Sequence, residues 1–218
     1  MLKCNRITKS YQTGIQSVKA VSDVTLEFFR GIHMIKGKSG SGKTTLLRML
    51  GGLCPPDEGQ VFFQKNALYL LSEEERTKIR RENFSFIFQF FKLIPEFNVY
   101  DNMALSLYIR GEKETQQRVM DVARKLSIEN LLDRMPSELS GGQQQKVAIG
   151  RTLVSGAEVI FADEPTGNLD YESSIQIMNI FRKIKEEKII LMVTHDLELL
   201  KFADKVYHMD DGMIQEQR

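Results

Sequence analysis

The sequence predicts an α/β fold with a mostly parallel sheet, and three observations carry that expectation. Three short apolar runs, Ile32–Ile35, Val159–Ala162 and Ile189–Val193, have the length and continuity of strands buried on both faces. Helical-period segments follow the first two, with Leu46, Leu47, Leu50 and Leu53 after one and Ile175, Met178, Phe181 and Lys185 after the other. Each run leads into residues able to meet a ligand: a glycine-rich stretch from Gly37, the pair Asp163-Glu164, and Thr194-His195-Asp196. In open parallel sheets, ligand groups gather at such C-terminal strand ends.

From Leu2 to Phe28 the chain reads as short strands, with Val24, Leu26 and Phe28 alternating as on a sheet covered on one face. An N-terminal antiparallel sheet is therefore expected. Tyr11 stands in an SYQTG turn, where an aromatic ordinarily only packs. Residues Gly37 to Thr44 read GKSGSGKT, a full match to the pattern of glycine, four residues, then glycine, lysine and serine or threonine. Gly37, Gly40 and Gly42 permit backbone angles that turn successive N–H groups inward, so that with Lys38, Ser39, Ser41 and Thr45 they form an anion nest at a helix start. Lys43 reaches the outer phosphates, and the Thr44 hydroxyl is placed to ligate the accompanying magnesium ion. The setting of strand, glycine loop and helix implies a P-loop NTPase core that handles a nucleoside triphosphate. Gly51, Gly52 and Pro55 end that helix, PPDEGQVFF gives a turn and a strand at Val61 to Phe63, and SEEERTKIRREN reads as a solvated helix.

Phe84 to Phe88 reads as a strand leading to Gln89, and the connection after it is unusually aromatic: Phe90, Phe91, Leu93, Ile94, Pro95 and Phe97. From about Asn98 to Asp133 the pattern is helical, with Val119, Val122, Ala123 and Leu126 at spacings of three and four, which predicts an inserted α-helical subdomain. Leu139 to Lys146 reads LSGGQQQK; Ser140, Gly141 and Gly142 open a helix that runs through Val147, Ala148 and Arg151 to about Val154. They form either an ordinary N-cap or a second anion site. Carboxylates ending a buried strand need a reason, because an unpaired buried charge is costly. In a P-loop fold that reason is the metal, so Asp163 holds magnesium and Glu164 polarises the attacking water. Val206 to Met209, the Asp210-Asp211-Gly212 turn and Met213-Ile214 predict a final hairpin.

The 218 residues suffice for a sizeable core. A net charge of +1 gives no general attraction to nucleic acid or acidic lipid, and no nucleic-acid partner is expected. No apolar stretch approaches a spanning helix, and MLKCNRITKS has no signal-peptide core, so the chain is expected to be soluble and to stay in the cytosol. Cys4 and Cys54 fit neither a metal-binding spacing nor a disulfide framework and read as reduced thiols.

Together these motifs resemble the ATP-binding cassette ATPases over nearly the whole chain. The phosphate loop, Gln89, the LSGGQ at Leu139 to Gln143, Asp163-Glu164, the Asp170 turn and His195 stand in family order and at family spacing. The resemblance implies a single cassette over 1–218. Residues of about 1–88 and 140–218 would form a RecA-like core with its antiparallel β subdomain, and about 90–138 the helical subdomain. It implies ATP and Mg2+ as ligands and head-to-tail dimers of two copies. Ser140, Gly141, Gly142 and Gln143 would meet the partner's nucleotide, and Asp170 would touch the opposite subunit. Tyr11 matches the aromatic that stacks on adenine, Gln89 the residue joining magnesium and catalysis to the helical subdomain, and His195 the residue contacting the γ-phosphate and attacking water.

Within the family, DEPTGNLD at Asp163 to Asp170, GGL after the first helix and FQFFKLIP look like the lipoprotein-release, macrolide-export and bacitracin-type peptide-resistance group. The implied partner is a separate integral membrane permease, with the ATPase peripheral on the cytoplasmic face. Docking is expected near Phe90 to Phe97, with Phe91 or Leu93 as an exposed member. Cell-division ATPases, which regulate a membrane partner, are close relatives and the alternative. Cassette ATPases that work without a transporter carry long coiled coils or two cassettes, whereas here about a hundred residues separate Lys43 from LSGGQ. The departures are Lys36, where an apolar residue is customary in a strand that reads a residue or two short, and Lys146 and Gly150, where arginine and alanine are usual.

Overall fold

The computed structural model describes residues 1–13, 16–113 and 115–217. Its first two strands, β1 (Leu2–Thr13) and β2 (Gln16–Phe28), are long and pair antiparallel. The sequence reads as shorter strands because the pairing shifts between Cys4 and Ile7, between Ile7 and Lys9 and between Lys9 and Ser10, and each bulge resets which face the next side chain takes. Arg6 and Asp23 take positive φ at these irregularities and pair across them at 3.1 Å. Tyr11 is a strand residue opposite Val18, not part of a turn, and Gly14 of SYQTG lies outside the described residues.

The apolar runs become β3 (Gly31–Lys36), β7 (Val159–Asp163) and β8 (Ile189–Val193), with β8 hydrogen-bonded between the other two. With β6 (Phe84–Ile87), β9 (Lys205–Asp210) and β10 (Met213–Glu216) they form a six-stranded sheet in the order β10-β9-β3-β8-β7-β6. Only the terminal β9–β10 hairpin is antiparallel there. Lys36 stays in register, opposite His208, so the polar residue is part of β3 and does not break its pairing. The antiparallel sheet runs β2-β1-β4-β5, completed by β4 (Glu58–Phe63) and β5 (Asn66–Ala67).

Among the described residues six α-helices connect the strands: α1 (Lys43–Leu50), α2 (Glu73–Asn83), α3 (Val99–Ile109), α4 (Gln116–Leu126), α5 (Gly141–Ser155) and α6 (Tyr171–Ile184). Helix α1 lies between the sheets: Leu46, Leu47, Met49 and Leu50 share one core with Leu2, Ile7 and Phe28 of the antiparallel sheet and with Phe161, Leu191 and Val193 of the other. The helix ends at Leu50, so Leu53 is not its last apolar contact but is 46% exposed. A second core, with Met103, Leu107, Val122, Ile149 and Phe181, forms where α3, α4, α5 and α6 cover the opposite side of the parallel strands. Side-chain caps start α2, α3, α5 and α6, at Ser72, Asn98, Ser140 and Asp170. Helix α1 starts on Gly42 with none.

Phe161 is fully buried, stacks on Phe86 at 5.0 Å and meets the edge of Phe84 at 5.3 Å. Phe161→Ala is expected to lower the unfolding free energy by about 3–5 kcal/mol. Denaturant titration checks this; a loss under about 1 kcal/mol would show that the site collapses around the void.

Candidate active site

The uncapped start of α1 is where a ligand-binding site begins. The first N–H groups of a helix have no partner within it, and here neither a capping side chain nor an acidic residue in the first turn takes their place. The preceding loop is shaped by close backbone contact. A Cβ on Gly37 would lie 2.1 Å from the Met209 carbonyl oxygen and one on Gly42 would lie 1.9 Å from that of Ala20, so neither position admits any other residue. The Lys43 ammonium lies across this loop, donating to the Gly37 and Lys38 carbonyls at 2.8 and 2.6 Å. Burial pulls its pKa below the ordinary lysine value, against the attraction of Glu164 and Asp163.

The acids arrive on the neighbouring strand. Thr44 Oγ1 donates to Asp163 Oδ1 at 3.1 Å. Burial holds the Asp163 carboxyl above its ordinary range, opposed by that hydroxyl, while the charge of Glu164 pushes the same way as burial. Glu164 takes φ 50°, left-handed for a non-glycine residue, with its N–H donated to the Val193 carbonyl at 3.0 Å. Such a conformation costs on the order of 1–3 kcal/mol and persists where surroundings over-determine it. Glu164 Oε2 stands 2.7 Å from His195 Nδ1. A carboxylate only accepts, so the proton of this pair sits on Nδ1 and Nε2 is left as the ring's outward polar atom.

One cavity of ≈ 340 Å³ gathers most of the expected residues: Gly37, Ser39, Gly40, Gly42, Lys43, Thr44, Thr45, Gln89, Asp163, Glu164 and His195. Its wall also includes Val193, the last residue of the third apolar run, and Ala20, which no sequence pattern marks. Lys38 and Ser41 lie within the loop but not on this wall; the Ser41 hydroxyl is 3.5 Å from Lys43 Nζ. Tyr11 is also outside it, 43% exposed, with its hydroxyl 3.7 Å from Cys54 Sγ and beside the Thr45 hydroxyl. The donors present suit magnesium, a hard cation: a hydroxyl, a carboxylate and the Gln89 amide. Among the described residues there is no cluster of three His, Cys, Asp or Glu able to hold a metal alone.

Ser140, Gly141, Gly142 and Gln143 line no part of the cavity. Ser140 Oγ accepts from Gln143 N at 3.3 Å while Gln143 Oε1 accepts from Ser140 N at 2.9 Å, a complete capping box. Because Oγ is an acceptor here, its own proton remains free to donate outward. Asp170 likewise caps α6, accepting from Ser173 N at 2.8 Å and from Ser173 Oγ at 2.9 Å, bonds that hold its carboxyl below the usual range. The aromatic connection differs from expectation: Phe90 is its exposed aromatic, at 72%, whereas Phe91 and Leu93 are half-buried. The Phe91 ring packs beside Gly141, and Leu93 packs against the helical core.

Comparison with known proteins shows the family and the fold. Residues 21–167 match the family model described as ABC transporter. The chain is 37% identical over its whole length to the lipoprotein-releasing system ATP-binding protein LolD of Saccharophagus degradans, covering 97% of that protein. It is 35% identical to an uncharacterized ABC transporter ATP-binding protein, MJ0796, of Methanocaldococcus jannaschii, with 100% and 96% of the two chains covered. The dimeric structure of that bacterial ABC transporter cassette superposes with a TM-score of 0.92 at 33% identity, over 100% and 99% of the two chains. A post-hydrolysis dimer of the same cassette bound to ADP and Pi also gives a TM-score of 0.92, at 32% identity over the same shares.

The raised Asp163 pKa has a stability consequence. Between the ordinary carboxylate range and the raised value, the folded chain holds this proton and the unfolded chain does not, so stability is lost as pH rises through that window. Asp163→Asn removes the charge and keeps an acceptor for Thr44. Without nucleotide it is expected to melt above the parent at neutral pH, with the difference shrinking once the solution is acid enough to protonate the parent. A variant melting at or below the parent at neutral pH would contradict the account.

Proposed function

The chain belongs to the ABC transporter family of ATP-binding proteins, and on that premise we propose how its residues divide the work of an ATPase that drives a separate membrane subunit. ATP is its substrate, hydrolysed to ADP and phosphate. The observation that carries the division is the placement of Lys43, Thr44, Asp163, Glu164 and His195 around one cavity, with Glu164 and His195 2.7 Å apart.

Backbone N–H groups of Gly37 to Thr45 receive the phosphates, and Lys43 exchanges its loop carbonyls for the outer phosphate oxygens. Tyr11, next to Thr45 and exposed, offers its ring face to the adenine. Thr44, Asp163 and Gln89 would hold magnesium, which would offset charge on the phosphate oxygens. Glu164 takes a proton from the attacking water. The water oxygen bonds to the γ-phosphorus as the bond from that phosphorus to the bridging oxygen breaks, and ADP carries away the electron pair. His195 holds Glu164 in place through Nδ1–H and leaves Nε2 as an acceptor for the attacking water beside the γ-phosphate.

The remaining site residues serve a second copy. Ser140, Gly141, Gly142 and Gln143 lie off this cavity at an outward helix start, suited to the nucleotide of a head-to-tail partner, with Asp170 at the contact. The solved relative is dimeric, which supports this arrangement. Kinship with lipoprotein-releasing proteins favours release or export through an integral membrane partner. Among the described residues no helix is long and apolar enough to cross a membrane, so association with the cytoplasmic face goes through that partner. Phe90 offers the docking contact. In this reading about 90–138 is the helical subdomain and about 1–88 and 140–218 the core, with α3 and α4 packing chiefly on α5.

Glu164→Gln is expected to keep ATP affinity and lower the hydrolysis rate by on the order of 10²–10⁴-fold, with ATP then holding two copies together in size-exclusion chromatography. Turnover at the parent rate would remove Glu164 from the role of base. For docking, Phe90→Ser should leave stability within about 0.5 kcal/mol and ATP binding intact while weakening capture of the membrane subunit in a pull-down. Undiminished capture would move the docking surface elsewhere.

A further inference from the structure

The segment that leaves Gln89 is held from two sides. On one, Asn168 Nδ2 donates to the Gln89 carbonyl at 3.4 Å. On the other, Arg151 of α5 donates through Nη1 to the Lys92 carbonyl at 2.8 Å and through Nη2 to the Phe91 carbonyl at 3.1 Å. Lys92 adopts φ 51°, so the turn that aims two successive carbonyls at one guanidinium is in the left-handed region. Burial alone lowers the Arg151 pKa, with no acidic neighbour opposing it. A half-buried cation whose partners are two carbonyls is costly to keep, and a planar fork fits such a pair where an ammonium does not.

Helix α5 meets the same segment a second time at its start, where the Phe91 ring would be 3.7 Å from a Cβ on Gly141. Ser140, which caps that start, and Arg151 therefore belong to one rigid rod with a contact to the Gln89 segment at each of two levels. We infer that Arg151 is a positioning residue for Gln89. By fixing the backbone two and three residues beyond Gln89 to α5, it sets where the Gln89 amide stands relative to Thr44 and Asp163. Any shift of α5 caused by what Ser140 binds is thereby passed to this subunit's own metal-side residue. The inference rests on the proposed role of Gln89.

A double-mutant cycle on the purified full chain tests it, reading kcat, the KM for ATP and the Mg2+ concentration giving half-maximal rate. Gln89→Ala alone should lower kcat without weakening ATP binding; an unchanged rate and Mg2+ dependence would sink the Gln89 role and the inference with it. Arg151→Met, which keeps an unbranched apolar stem and removes the guanidinium, should lower kcat by on the order of 10²-fold, the scale of misplacing a catalytic group, with KM nearly unchanged and more Mg2+ required. In the Gln89→Ala background the same substitution should cost almost nothing further, because the path it acts through is already gone. Arg151→Lys, able to reach one carbonyl, should recover part of the rate and runs the same cycle if the methionine variant folds poorly. Equal losses in both Gln89 backgrounds, while Gln89→Ala itself is impaired, would overturn the positioning role and leave that of Gln89 standing.

Discussion

The nucleotide end of this molecule depends on backbone-to-backbone contact between the phosphate loop and two strands that belong to different sheets. Gly37 lies against β9 and Gly42 against β2 at distances that exclude a side chain. The turn of the terminal hairpin completes the junction: Gly212 N donates to the Ser41 carbonyl at 3.1 Å, and the Gly212 carbonyl accepts from Ser22 N at 2.9 Å. The loop, the last hairpin and the antiparallel sheet are thus fastened at one point. Preorganised N–H groups act on an anion only if they do not reorganise as it arrives, and this junction supplies that rigidity.

The acids around the loop follow a different logic, since their placement opposes stability. Asp163 is a partly desolvated carboxylate beside another acid, and Glu164 is held in a backbone conformation that a glycine would take at lower cost. Neither feature is required by the parallel sheet that carries them. Both bring oxygens to the edge of the cavity, and the buried strand β7, with Val159 to Ala162 fully packed, holds them there. Strain of this kind sits beside a well-packed strand because only a well-packed neighbour can hold it.

Much of this was legible in the sequence wherever one local rule sufficed. The runs Ile32–Ile35, Val159–Ala162 and Ile189–Val193, bounded by turn and ligand residues, read as buried strands and are so, and GKSGSGKT carries its own geometry. Rules of period failed where pairing is irregular: the bulges around Arg6 hide two long strands, and a period-three count drew Leu53 into a helix that Gly51 had ended. Burial within the aromatic connection was equally hidden, because Phe90, Phe91 and Leu93 are chemically alike and only the position of α5 decides which of them is covered. Arg151 and Asn168 read as ordinary helix and loop residues, since their partners are backbone carbonyls far away in the chain.

The capping box at Ser140 narrows the alphabet open to that position. A helix start accepts serine, threonine, aspartate, asparagine or, with small loss, glycine. The proposed contact with a partner's phosphate would exclude aspartate on charge and make glycine poor for want of a hydroxyl. What remains is a short list of small, neutral hydrogen-bond donors. Drift at this codon would therefore be constrained even in a chain that had stopped hydrolysing ATP, so an intact serine at 140 reports on folding as much as on activity.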